Sequence, residues 1–406
     1  MDLIVWEWLS FLLRWLHVIA AVAWIGSSFY FIHLDLSLRK REGLPQGTLG
    51  EAWQVHGGGF YHMQKYGVAP AVMPEKLTWF KWEAYTTWLS GFALLVVFYY
   101  GSAELFLIDR AVAEIAPATA IALSIGGIML GWVAYDLMCR SPLGRSDLWL
   151  GIGVYLFLVA AAWGYTQVFS GRGAFMQVGA MAGTMMAANV AMIIIPNQKK
   201  VVATLIAGGS PDPALGKTAK QRSLHNNYLT LPVIFLMLAN HAPLAFGSPY
   251  AWVMVALILP VGAVIRHFFN SQHAGLPTPW WTWGVAAAGM AAIILLSAAG
   301  TAQAAEGKAP ALAAEDLAAE DFAVVEEIVA TRCVMCHMAP PVWEGMAVPP
   351  KGVRLDTAEE IRRHLPQIRL QAALSRAMPP GNVTDMTAEE RALLRAATAG
   401  TSPWGN

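Results

Sequence analysis

Apolar residues run almost unbroken through eight stretches of the first three hundred positions, near 9–33, 84–101, 117–139, 148–169, 174–196, 228–246, 250–270 and 281–300. Each is long enough to cross about 30 Å of hydrocarbon as a helix. The pattern predicts an all-α fold whose residues 1–300 form an eight-helix transmembrane bundle. The sixth stretch is the weakest, because Asn226, Asn227, Asn240 and Pro232 interrupt it. Proline is tolerated in such helices when neighbours satisfy the freed backbone groups. In the first stretch Arg14, His17, Trp24, Ser28 and Asp35 recur at a three/four spacing and fall on one stripe. A polar stripe on a membrane helix faces protein or a cavity rather than lipid. Arg14 reads equally as the partner of an anionic group or as a side chain snorkelling to the interface.

Cations are unevenly shared between the loops. Arg39, Lys40, Arg41, Lys65, Lys76 and Lys81 follow the first stretch, Arg140 and Arg145 the third, and Lys199, Lys200, Lys217, Lys220 and Arg222 the fifth; Arg266 closes the seventh. The alternate loops carry only Arg110 and Arg172. Cytoplasmic loops carry the excess of Lys and Arg, so the first set is expected in the cytoplasm and both termini outside.

Beyond residue 300 the pattern changes. Residues 301–320 are Ala-rich and acidic and read as a linker, and 321–406 as a small globular unit. "DFAVVEEIVATRC" has apolar residues at helical spacing. "DTAEEIRRHL" and "MTAEERALLRAATAG" each hold a capping box, Thr357 with Glu360 and Thr387 with Glu390.

Composition agrees with a membrane protein: 406 residues, 56% hydrophobic and only 13% charged, with a mean hydropathy of +0.46. The 17 Trp suit aromatic belts at the lipid–water boundary. There is no basic stripe or motif for nucleic acid. The first apolar run is too long for a signal peptide and lacks a small-residue cleavage site. "SAAGTAQAAEG" after the eighth run does resemble such a site, and cleavage there would free the tail.

Three cysteines occur. Cys139 stands alone and reads as a small buried apolar residue. Cys333, Cys336 and His337 form C-x-x-C-H, the pattern for covalent attachment of one haem c. His337 would bind the iron as proximal ligand. Attachment of this kind in bacteria occurs outside the cytoplasmic (inner) membrane, which agrees with the periplasmic tail inferred from the loops. Helices before, between and after the motif resemble a class I cytochrome c domain. Met378, in "AMPPGN" before the last helix, resembles that family's axial-ligand loop. His364 is the rival ligand, on a helix beside Arg362 and Arg363.

Eight further histidines lie in the membrane part. His17 and His33 are sixteen residues apart on the first helix, and His225 and His241 sixteen apart on the sixth, which runs the opposite way. Were these helices neighbours, His17 would face His241 and His33 would face His225, an arrangement suited to haem b in the membrane. The obstacle is angular: sixteen residues turn roughly 160° past whole turns.

"LHVIAAVAWIGSSFYFIHLD", "WQVHGGGFYHMQKY" and "SLHNNYLTLPVIFLMLANH", with the tail, resemble the bacterial membrane-bound urate oxidase family with a fused C-terminal cytochrome c domain. The resemblance implies oxidation of urate to 5-hydroxyisourate in purine catabolism. Electrons would pass to the fused haem and on to a respiratory chain or terminal oxidase. A site for a planar anion needs an apolar slot, a cation, amide partners and a base. The cytoplasmic loops supply His56, His62 and their neighbours, with His225, Asn226, Asn227 and Tyr228 across from them. His56, His62 and His225 are the candidate bases, and Gly57–Gly59 would let backbone amides approach an anion or would simply form a turn. The alternative function is a membrane cytochrome passing electrons from quinol to its tail without substrate chemistry. The sequence leaves oligomeric state open.

The loop charges generate a topology test. Alkaline phosphatase, active only outside the cytoplasmic membrane, should be active when fused after Arg110 or Gly247 and inactive after Gly209. Activity after Gly209 would reverse the orientation.

Overall fold

Hydrocarbon offers no partner for backbone N–H and C=O groups, so a chain that crosses it must close its own hydrogen bonds, and helices do so within one segment. The computed structural model describes residues 2–67, 70, 73–303 and 319–398. Its helices are α1 Asp2–Ser37, α2 Trp82–Leu94, α3 Ala103–Phe106, α4 Pro117–Arg140, α5 Asp147–Thr166, α6 Gly171–Ala188, α7 Ile195–Ile206 and α8 Pro213–Leu238. There follow α9 Pro243–Phe246, α10 Ala251–His273, α11 Trp281–Gln303, α12 Ala319–Arg332, α13 Val334–His337, α14 Ala358–Arg363, α15 Leu365–Ile368 and α16 Ala388–Ala397. Linker residues 304–318 and the terminal residues 399–406 lie outside the described part.

The chain is mostly helical and an integral multi-pass membrane protein by its helices. Six spans are long and apolar enough to cross a membrane among the described residues: Ile4–Ser37, Pro117–Arg140, Asp147–Thr166, Gly171–Ile206, Ala251–His273 and Trp281–Ala299. This corrects the expected eight. The other two stretches are helical but differ in kind. α2 is short and runs into a π-helical turn, Leu95–Tyr100. α8 carries Lys217, Lys220, Arg222 and three consecutive polar residues, His225 to Asn227, along its first half.

The all-α expectation is also corrected. Thr48–His56 (β1) and Gly59–Tyr66 (β2) pair as an antiparallel hairpin. Gly57 and Gly58, at φ +58° and +79°, form its two-residue turn; both central residues need positive φ, which glycine alone takes freely. So the glycine run is a hairpin turn, and His56 sits beside it, exposed.

Small residues set the helix spacing. A Cβ on Gly262 of α10 would overlap the Pro232 ring of α8. Likewise Gly91 of α2 receives the edge of the His17 imidazole at 2.8 Å from where a Cβ would stand. Close backbone approach through glycine is how membrane helices gain packing without a hydrophobic drive.

Residues 319–398 build a separate core. Phe322, Val325, Ile328 and Val329 line one face of α12 and pack on Leu355, Ile361 and Leu394. Thr387 and Glu390 close a full capping box. Thr357 accepts from the Glu360 N–H, but the Glu360 carboxylate turns to Arg363 instead. This unit docks on the end of the bundle formed by α3, α9 and the start of α6. Gly381 packs against the carbonyls of Glu104 and Ile108, and a cavity of about 250 Å³ between the two is lined by Asp109, Arg172, Phe246, Arg376 and Gly381 among others. The hairpin lies at the opposite end, after α1. The docked end is the one whose loops carry Arg110 and Arg172.

Replacing Gly262 by Ala should destabilise the bundle by about 1–3 kcal/mol through overpacking. Thermal unfolding of the purified protein in detergent reads this, and an unchanged midpoint would show that α8 and α10 are not in this contact.

Candidate functional site

α12 ends at Arg332, and the next residues turn once more as α13. Cys336 is buried and Cys333 half-buried, the latter packed on the α12–α16 core. His337 directs Nδ1 at the Val353 carbonyl, 2.9 Å away. A bond of this kind fixes the ring and leaves Nε2 as the nitrogen able to bind a metal. Met378 packs on the same core as Cys333, Val334 and Val353. Its carbonyl accepts from Arg391 Nη1 at 2.8 Å, and the same guanidinium holds the carbonyl of Ala372 and the side chain of Asn382. Burial pushes the Cys333 thiol up to about 12 and raises Cys336 as well. A redox dithiol or soft-metal site needs the reverse, a favoured thiolate. Among the described residues no three His, Cys, Asp or Glu converge as a metal site. A haem iron needs only two ligands from protein, so it would not register as such a cluster; the expected holders are Cys333 and Cys336 for attachment, with His337 and Met378 for the iron. His364 instead lies near Glu360, 3.8 Å away.

In the membrane part the polar residues gather in two clusters near the hairpin end. α8 divides them. At about 100° per residue, His225 and Asn227 point roughly opposite ways, so residues expected to serve one site serve two.

The first cluster joins α4, α6 and α8. Arg222, 1% exposed, donates to Asp136 at 2.6 Å and to the Asn189 amide oxygen at 3.0 Å. Asn189 donates to the Tyr135 hydroxyl and to the Asn226 amide oxygen, both at 2.9 Å. Tyr135 in turn meets His225 Nδ1 at 2.8 Å. Asn189 opens a π-helical segment, Asn189–Ile194; an extra residue in the turn re-aims side chains, and such bulges favour functional sites. Here charge is matched: the guanidinium has its carboxylate. His225 Nε2 is buried without a partner.

The second cluster joins α1, α8 and α10. Arg266, 5% exposed, donates through Nε to the Asn227 amide oxygen at 3.3 Å and through Nη2 to that of Asn270 at 3.1 Å. The Phe29 ring covers its face at 3.8 Å. No carboxylate among the described residues pairs with it. An ionised group taken out of water costs several kcal/mol even after relaxation, and neutral amides return only part of that. Asn227, 0% exposed, leaves Nδ2 without a partner. His33 and His273 meet edge to face at 4.3 Å, each with an unpartnered buried Nδ1. Tyr228 faces His267, 3.3 Å from its Nδ1.

The expected histidine pairs are therefore not the ones formed. His33 pairs with His273 rather than His225, because α8 turns His225 towards α4. α1 packs mainly on α2, and His17 Nδ1 lies 3.0 Å from the Thr87 carbonyl and 3.1 Å from Ser90 Oγ. His241 is exposed on the turn after α8. His62 is held on the hairpin by Glu51, 2.6 Å away, and stacks on Trp53 at 4.1 Å. That hydrogen bond, reinforced by Arg41, holds the Glu51 carboxyl below its usual range.

Sequence reading missed Asp136, Asn189 and Tyr135 entirely, and took Arg222 and Arg266 for loop cations. Arg266 lies seven residues before the end of α10, two turns inside the apolar run. That depth was the available signal.

A family profile described as urate oxidase N-terminal matches residues 3–297. The matched range covers both membrane clusters and ends before Cys333. No curated protein and no solved structure matches the chain.

Asp136→Asn should leave Arg222 buried and unpaired and destabilise the fold by about 3–5 kcal/mol. Urea or thermal unfolding in detergent measures it. A loss below 1 kcal/mol would mean that water or another group already compensates Arg222.

Proposed function

We propose that this chain, which belongs to the urate oxidase N-terminal family, oxidises urate to 5-hydroxyisourate in its membrane part and passes the electrons to a c-type haem on its own C-terminal segment. The family match, running through nearly the whole membrane part, carries the substrate. A C-x-x-C-H motif whose histidine is already oriented by a backbone carbonyl supports the acceptor.

The balance is simple. Urate and one water yield 5-hydroxyisourate, two protons and two electrons. When bound, a haem supplies one-electron acceptance, used twice per urate. The chain's own residues supply the rest. Cys333 and Cys336 would hold the group by thioethers, His337 and Met378 would bind its iron, and Arg391 fixes the Met378 backbone. In the membrane part a buried guanidinium, amides and imidazoles offer an anion charge, hydrogen bonds and proton acceptors at the hairpin end. With the cation-rich loops cytoplasmic, that end faces the compartment where purines are broken down, and the tail lies in the periplasm, within reach of a respiratory chain or terminal oxidase.

Urate added without oxygen to the purified, oxidised full-length protein should reduce its c-type absorption band. Cys333→Ala/Cys336→Ala protein should lose more than ~90% of urate turnover. Reduction by a quinol but never by urate would favour the electron-transfer alternative and overturn this reading.

A further inference from the structure

Three arginines of the membrane part differ in what answers their charge. Arg222 has Asp136. Arg172 lies at the docked end over the rings of Phe106 and Phe246, on the wall of a cavity that Asp109 also lines. Arg266 differs, because its partners are two neutral amides and one phenyl ring.

The surroundings repeat the same deficit. Asn227 is fully buried, and its amide oxygen already accepts from both Arg266 and Asn270, which orients Nδ2 as a donor with nothing to donate to. His273 lies one further turn along the face of α10 that carries Arg266 and Asn270, within electrostatic reach of both Arg266 and His33. His33 lies one turn from Phe29 on α1. Arg266 and the spare Asn227 donor meet between α8 and α10 under the Phe29 ring, and the His33–His273 pair lies one to two turns further along α1 and α10. Donors of this kind are complementary to an anion, and a bilayer-embedded cluster with an aromatic wall selects against a strongly hydrated one.

We infer that Arg266, Asn227 and Asn270, walled by Phe29 and flanked by His33 and His273, form the binding site for a planar heterocyclic anion. Resting on the proposed function, that anion is urate. The guanidinium takes the anionic edge, Asn227 Nδ2 a carbonyl oxygen, and the imidazoles are placed to receive a ring N–H proton. Arg39, Lys65 and Lys220 stand around the hairpin-end terminus of α1: Arg39 donates to the His273 carbonyl at 3.2 Å, and both lysines reach Asp35. Cations so placed draw an anion towards the cluster.

The test is equilibrium binding of urate to full-length protein in nanodiscs without oxygen, by isothermal titration, for wild type, Arg266→Gln and Asn227→Asp. Arg266→Gln should weaken binding at least ~30-fold. Asn227→Asp supplies the missing carboxylate from within, so it should raise the thermal midpoint while weakening urate binding by a similar factor. That pairing separates a binding role from mere folding, since a misfolded variant would lose both. Wild-type affinity in a folded Arg266→Gln or Asn227→Asp protein overturns the site and leaves the proposed function standing. Absence of binding and of haem reduction by urate in the wild type overturns both. Equal competition by inorganic phosphate would overturn the planar specificity.

Discussion

A guanidinium buried between membrane helices must find its counter-charge inside the protein or from something the protein binds. The molecule meets this constraint in two ways. Around Arg222 the chain supplies Asp136 and a chain of hydrogen bonds through Asn189, Tyr135, Asn226 and His225, with Arg222 Nε and His225 Nε2 left over among the described residues. Around Arg266 it supplies amides and an aromatic ring and stops short of a carboxylate. One cluster carries its own counter-charge, and among the described residues the other does not. The difference lies in charge balance, since both are buried to a similar degree.

The helix geometry exists to hold these clusters apart and in register. α8 carries both, with His225 and Asn226 turned to α4 and α6, and Asn227 turned to α10. Gly262 lets α10 come close enough against Pro232 for Arg266 and Asn270 to reach Asn227. The π-helical turn at Asn189 aims its amide into the first cluster. At the far end, residues 319–398 lean on α3 and α9 with the Met378–Gly381 loop against the bundle. In the proposed function this brings the haem-binding loop to the membrane part itself, and leaves the Arg266 cluster facing the hairpin.

Much of the fold was legible in the sequence. The apolar runs became helices, and the C-x-x-C-H motif stands on the end of an amphipathic helix as its spacing suggests. The hairpin was not legible. Its strands are largely exposed and alternate weakly, and the polar, glycine-containing stretch read as a loop ligand site when Gly57 and Gly58 were simply its turn. Histidine spacing misled for another reason: equal separation along two helices says nothing about which faces meet, and α8 turns His225 towards α4 while His17 packs on α2. The second cluster was hidden because Arg266, near the end of an apolar run, looked like an interfacial cation. Only the third dimension shows that it points inward and that no acid among the described residues meets it.

The most direct measurement is an experimental structure of the full-length protein solved with urate. The account predicts ligand density between the Arg266 guanidinium and Asn227 Nδ2, beside Phe29 and within reach of His33 and His273. Density elsewhere in the bundle, or an Arg266 already paired with a carboxylate of its own chain, would contradict it.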